Sequence, residues 1–114
     1  MIIQSTEEFA GEVQGKWAGR EVKVSKTTNM TPINIRIESA RVAEWKEVDC
    51  RIKQRHEMDT KFFVIAGKSV DELEKGNIKR LVIPVDERTV YDVREERFVV
   101  LTEKEVVEFS LVGK

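Results

Sequence analysis

The chain has 114 residues, of which 40% are hydrophobic and 36% are charged. This length supports one hydrophobic core, so we expect a single domain spanning residues 1–114. The 20 lysine and arginine residues nearly balance the 21 aspartate and glutamate residues, which excludes a global field that would steer the whole molecule to nucleic acid or to an anionic membrane.

The first predicted element is a short helix near the start of the chain. Ser5 and Glu8 have the capping-box spacing, in which a hydroxyl accepts from a first-turn amide and a glutamate reaches back to the cap. This predicts a helix over about residues 6–10. Gly11 or Gly15 is expected to end it.

Two strands are predicted next, because apolar residues alternate with polar ones. Val22 and Val24 alternate in this way over residues 21–26. A loop is expected over residues 27–32, and the alternating isoleucines of residues 33–38 then give the clearest strand pattern in the chain.

Residues 39–58 contain no glycine or proline and fit two periods. In a helix, four apolar side chains share one arc: Val42, Trp45, Val48 and Ile52. In a strand, Val48, Cys50 and Ile52 face inward and the basic residues form an outward row. Helix propensity and the absence of a turn residue favour the helix.

The second half of the chain predicts strands at residues 62–66 and 78–85, and a hairpin. The run at 62–66 is apolar throughout, which is typical of a strand buried on both faces. Pro84, near the end of the next strand, indicates either a sheet edge or the termination of that strand. The hairpin joins residues 90–93 to 98–101 through a charged turn.

Two further helices are predicted in this half. Ser69 has the capping spacing and Gly76 suits a left-handed cap, which predicts a helix over residues 70–75. Thr102 begins a similar pattern, which predicts a closing helix over residues 103–112, with a strand as its rival.

Together these elements predict an α+β fold, with one mixed or mainly antiparallel sheet and three or four helices packed on it. A mostly-β barrel is the alternative if residues 39–58 form a strand.

The strongest candidate for a binding site is a basic cluster in residues 46–61. Cations concentrate there and Trp45 is suited to stack on a base or to anchor a protein. We therefore predict a non-catalytic binding or regulatory module that recognises an acidic partner, either nucleic acid or protein. Its binding residues are Trp45, Lys46, Arg51, Lys53, Arg55 and Lys61. The opposing interpretation is a solvated face, because acidic residues are interleaved with these cations.

Catalysis has one weak candidate. Asp59 and Lys61 with Asp49 upstream match the acid and lysine arrangement of magnesium-dependent nucleases. The pattern is nonspecific, because other acid-x-lysine triplets occur in this chain. A third hypothesis is a structural homo-oligomer whose strand edges pair between subunits.

No cofactor or metal site is predicted. The chain has one histidine, His56, and one cysteine, Cys50, so a cysteine-built zinc site is excluded and Cys50 is expected to be a small core residue. The acidic start lacks the pattern of a signal peptide, and no apolar run is long enough for a membrane span. We expect a cytoplasmic protein, and its abundant glutamate, lysine and arginine fit the composition of heat-adapted proteins.

Overall fold

The computed structural model describes residues 2–27 and 31–112. Over these residues the chain forms one open antiparallel sheet of eight strands, in the order β1-β6-β7-β8-β2-β3-β4-β5. The strands are β1 (Ile2–Ile3), β2 (Glu21–Lys26), β3 (Ile33–Glu44), β4 (Lys61–Ser69), β5 (Ile78–Val85), β6 (Val90–Val93), β7 (Arg97–Leu101) and β8 (Val106–Leu111). The helices are α1 (Thr6–Trp17) and the single turn α2 (Cys50–Lys53), with short 3-10 turns at Trp45–Glu47 and Glu72–Glu74.

Helix α1 lies against the concave face of the sheet. It begins as predicted, with the Ser5 hydroxyl accepting a hydrogen bond from the Glu8 amide at 3.2 Å. Its buried side chains share one face of the helix: Phe9, Ala10, Val13 and Trp17. This face continues past both glycines, and its burial explains why neither glycine ends the helix.

The sheet curves around this helix. The ring of Phe9 lies 5.0 Å from that of Phe63 in β4, 4.2 Å from Tyr91 in β6 and 5.6 Å from Phe98 in β7, measured between centroids. Strands β4 and β6 are far apart in the sheet order, so one side chain can reach both only if the sheet bends. Aromatic packing at these distances makes α1 the centre of the main core.

Several predicted strands are confirmed. The patterns at residues 21–26, 33–38, 62–66 and 78–85 all lie in strands, and 90–93 and 98–101 form the predicted hairpin. Strand β5 is at the sheet edge, as Pro84 indicated, and Gly76 has a φ of 87°. Residues 28–30 of the predicted loop lie outside the described part of the chain.

The predicted fold class is wrong. The structure is mostly β, and the three or four predicted helices are replaced by α1 and the single turn α2. The barrel alternative is also incorrect, because the sheet is open, with β1 at one edge and β5 at the other.

Residues 39–58 are neither one helix nor one strand. Strand β3 continues to Glu44 because Ala40 and Val42 pair with Ile65 and Phe63 of β4, and the chain then turns through α2. A distant pairing partner thus overrode local helix propensity.

The other two predicted helices are also wrong. Residues 70–75 contain only the 3-10 turn at Glu72–Glu74. Thr102 does accept hydrogen bonds from the amides of Lys104 and Glu105, but these close a turn between β7 and β8. The rest of the predicted closing helix is strand β8, because Val107 and Phe109 fill the concave core opposite Val100 and Phe98.

Candidate binding surface

The segment that carries most of the predicted binding residues crosses the convex face of the sheet. We call residues 45–60 the strap. Its apolar side chains Trp45, Val48 and Ile52 pack on a small second core, whose buried members are Ala43, Phe62 and Val64. These three buried residues lie on β3 and β4, and Val82 of β5 packs beside them, so the strap covers this end of the convex face.

Trp45 holds the strap in its conformation. Its indole N–H lies 3.2 Å from both the Lys53 and the His56 carbonyl oxygens, to which it donates. The ammonium of Lys53 lies 5.1 Å from the centroid of the indole ring, in a cation–π contact. Because the ring is half-buried and already has these partners, it acts as a structural anchor for the cationic segment.

The strap cations differ in how far carboxylates neutralise them. Arg51 lies 3.7 Å from Asp49, and Lys61, which follows the strap as the first residue of β4, lies 3.3 Å from Glu7. Both pairs are well exposed, and exposed pairs contribute little and still attract other ions. Among the described residues, the side chains of Lys46, Lys53 and Arg55 form no ion pair.

The acidic neighbours of Lys46 are partly engaged elsewhere. The Glu47 carboxylate accepts a hydrogen bond from the Glu44 amide at 2.9 Å and pairs with Arg41 at 3.3 Å. Glu47 is therefore less available to neutralise Lys46, whose side chain is exposed. The interleaved acids of the sequence do not pair one to one with the strap cations.

The three residues of the nuclease hypothesis have different surroundings. The Asp49 carboxylate caps α2, where it accepts from the Arg51 amide at 2.8 Å. Asp59 and Lys61 instead line an open cleft that does not include Asp49. Within residues 2–27 and 31–112 no cluster of histidine, cysteine, aspartate and glutamate is arranged to hold a metal ion.

That cleft has a volume of about 930 Å³ and lies at one end of the sheet. The start of α1, the end of the strap, the β5–β6 turn and the β7–β8 turn form its walls. Carboxylates outnumber cations in the lining, and they include Glu57, Asp59, Asp86 and Glu87. Of the strap cations, Arg55 borders this acidic cleft, whereas Lys46, Arg51 and Lys53 lie outside its lining.

Glu7 in the cleft and Tyr91 beside it have shifted pKa values. The pKa of Glu7 is lowered, chiefly by a hydrogen bond from its own backbone amide in the first turn of α1 and then by Lys61. Burial raises the pKa of Tyr91, although its hydroxyl shares a hydrogen bond of 2.5 Å with that of Thr6. Sequence reasoning missed this cleft because its walls come from segments far apart in the chain.

The histidine and the cysteine have different surroundings. The ring of His56 is nearly perpendicular to that of Phe62, at 5.3 Å between centroids, and its side chain is half-buried. Cys50 is exposed at the start of α2, so the expectation of a core cysteine is wrong. Val48 and Ile52 are the residues of this part of the strap that pack on the sheet, and the single turn α2 leaves Cys50 between them exposed.

No family model, curated protein or solved structure matches the chain. No helix of the described residues has the length and the apolar character that a membrane span requires.

Proposed function

We propose that the chain is a non-catalytic binding module that recognises an acidic partner through the strap cations. One observation carries the proposal. Among the described residues, Lys46, Lys53 and Arg55 form no ion pair, and they lie exposed or half-exposed on a segment whose backbone the Trp45 indole fixes. A fixed backbone lowers the conformational entropy that a partner must overcome on binding.

An acidic protein segment fits this surface better than nucleic acid does. The Trp45 ring is packed on the second core and beside Lys53, so it does not offer the open face on which a base stacks. The adjacent cleft carries an excess of carboxylates, which repels a continuous phosphate backbone but tolerates a short acidic segment that stays on the strap.

The test compares two probes on the intact chain. Fluorescence anisotropy measures binding of a labelled polyglutamate peptide and of a labelled single-stranded DNA, from about 20 mM to about 200 mM salt. We expect the peptide to bind at low salt and to dissociate as salt rises, because screening weakens contacts between exposed charges. Tighter binding of DNA would assign the surface to nucleic acid instead.

A charge-matched control separates the strap from the net charge of the molecule. The variant K46Q/K53Q/R55Q is expected to weaken peptide binding by about tenfold or more, since each of these cations contributes to affinity through its contact with a peptide carboxylate. The variant K23Q/K26Q/K104Q removes the same charge from β2 and the β7–β8 turn and is expected to bind as the parent does. Equal losses in the two variants, or no binding by the parent at low salt, would refute the proposal.

A further inference from the structure

The two edges of the sheet differ in length and protection. Strand β1 pairs with β6 at only two positions, Ile2 and Ile3, whereas β5 has eight residues and pairs with β4 without a register shift. Over the described residues no strand pairs with the other side of β5. A long regular edge of this kind presents unpaired backbone groups to a second strand.

The hydrogen bonding shows which backbone groups of β5 point outward. The Ser69 amide donates to the Asn77 carbonyl at 2.8 Å, so the odd-numbered residues that follow Asn77 bond towards β4. Pro84, an even-numbered residue opposite Phe62, has no N–H to donate to β4, which agrees with this alternation. Ile78, Arg80 and Val82 therefore present both backbone groups outward, and Pro84 presents its carbonyl.

The side chains at this edge protect it only weakly. Ile78 is 70% exposed, and Leu73 in the preceding turn is fully exposed. Lys79 is paired with Glu74 of the same chain at 2.7 Å. Arg80, whose side chain lies on the same face as that of Val82, thus remains as the exposed charged residue of the strand, and Pro84 comes only near its end.

We propose that β5 is the interface with a second copy of this chain, and that the two β5 strands pair antiparallel about a two-fold axis at Leu81. In that register Arg80 of each copy exchanges both backbone hydrogen bonds with Val82 of the other. The amide of Ile78 donates to the Pro84 carbonyl of the other copy. The exposed Ile78 side chain then packs beside the Pro84 ring.

The two neighbouring registers oppose like charges or lose backbone hydrogen bonds. An axis at Arg80 places the two arginine side chains directly opposite each other, which is unfavourable. An axis at Val82 pairs Arg80 with Pro84, which has no N–H, and leaves Ile78 without a partner strand. The axis at Leu81 uses every outward N–H of β5 without opposing like charges.

Charge complementarity at the ends of the strand supports a second copy as the partner. Antiparallel pairing at Leu81 brings the turn before β5 in one copy beside the turn after β5 in the other. Lys75 lies in the first turn and Glu87 in the second, and both are exposed. The neighbours Glu74 and Arg88 are already paired within the chain, with Lys79 and Glu103. The two-fold axis therefore gives one Lys75–Glu87 pair at each end of the interface.

Light scattering after size exclusion tests this interface on the intact chain. We expect the parent to have twice the mass of one 13.2 kDa chain. V82P removes an outward N–H at the same parity as Pro84, so it is expected to give a folded monomer, with circular dichroism as the check of folding. V82T keeps the N–H and is expected to remain dimeric. A monomeric parent at about millimolar concentration, or a folded V82P that stays dimeric, would overturn the proposal.

Charge reversal provides a test that does not depend on tolerance of proline. K75E and E87K are each expected to raise the dimer dissociation constant by about tenfold, because each places like charges together at both ends of the interface. The double variant K75E/E87K restores the opposite pairs and is expected to recover the parent constant. Additive losses in the double variant would show that these side chains do not meet. The dimer dissociation constant is measured without peptide, so the outcome does not depend on whether the strap binds an acidic segment.

Discussion

At the scale of single residues, Gly67 shows how tightly the sheet is packed at one point. It lies in β4 opposite Ile37, where the register between β3 and β4 shifts between Ile37 and Ser39. A Cβ atom at this position would lie 2.3 Å from the backbone carbonyl oxygen of Arg36. Such a contact cannot be relieved by a side-chain rotation, because the opposing atom belongs to the backbone.

We therefore expect G67A to destabilise the protein by about 1–3 kcal/mol or more, the usual range for overpacking. The measurement is the midpoint and slope of urea unfolding. G15A is the matched control, because Gly15 is in the interior of α1 and a Cβ atom there would meet nothing within 4 Å beyond the helix's own backbone. Alanine there is expected to stabilise the helix by about 0.5–1 kcal/mol. Loss of stability of similar size in both variants would contradict the packing argument.

At the scale of elements, the strap and the sheet differ in how much apolar surface holds them. The strap rests on a small core with Ala43, Phe62 and Val64 as its buried members, whereas α1 and the concave face of the sheet share the much larger main core. Local opening follows the least buried parts of a structure. The strap should therefore open while the sheet stays folded.

Limited digestion with trypsin measures this opening. We expect the first cuts within residues 46–55, where the strap cations provide cleavage sites, and slower cuts in the strands. W45F removes the donor to the Lys53 and His56 carbonyls, which costs about 1 kcal/mol and should speed cleavage about fivefold. C50S changes an exposed side chain of the same strap and is expected to be cut at the parent rate. First cuts in α1 or β5 would contradict the expectation that the strap opens before the rest of the fold.

At the scale of the whole molecule, the strand alternation was readable from the sequence and the strand pairing was not. Val22, Val24 and the isoleucines of β3 lie on the concave face as their period of two predicts. The errors at residues 39–58 and 103–112 came from patterns that also fit a helix. What decided them was pairing with distant strands, such as Val107 with Val100 and Lys26, which no local pattern reveals.

The binding surface was predictable only in part, for the same reason. The concentration of cations in residues 46–61 is a property of the sequence, but which of them lack a carboxylate partner depends on the turn at Trp45 and on the capping role of Asp49. The acidic cleft joins the start of α1 to the β5–β6 and β7–β8 turns. Such a site exists only once the sheet has curved around α1.

Alkaline pH probes that curvature, because Tyr91 links β6 to the start of α1 through Thr6. Burial raises the pKa of Tyr91 above its ordinary value, and the charges of Glu7 and Asp86 act in the same direction. In the unfolded chain the tyrosine hydroxyl loses its proton at about pH 10. The contribution of the raised Tyr91 pKa to stability is therefore complete below that pH. As pH rises towards the folded-state pKa, the unfolded state binds fewer protons than the folded state and stability falls.

Y91F should remove this part of the pH dependence. Its free energy of unfolding, measured by urea from about pH 8 to about pH 11, is expected to fall less steeply than that of the parent above pH 10. Loss of the hydrogen bond to Thr6 shifts the Y91F curve downward at every pH, which separates that effect from ionisation. Because Tyr91 is the single tyrosine of the chain, its ionisation can also be followed by ultraviolet absorbance in the folded parent. Parallel stability curves, or ionisation at the ordinary pKa, would show that the sheet does not enclose this side chain.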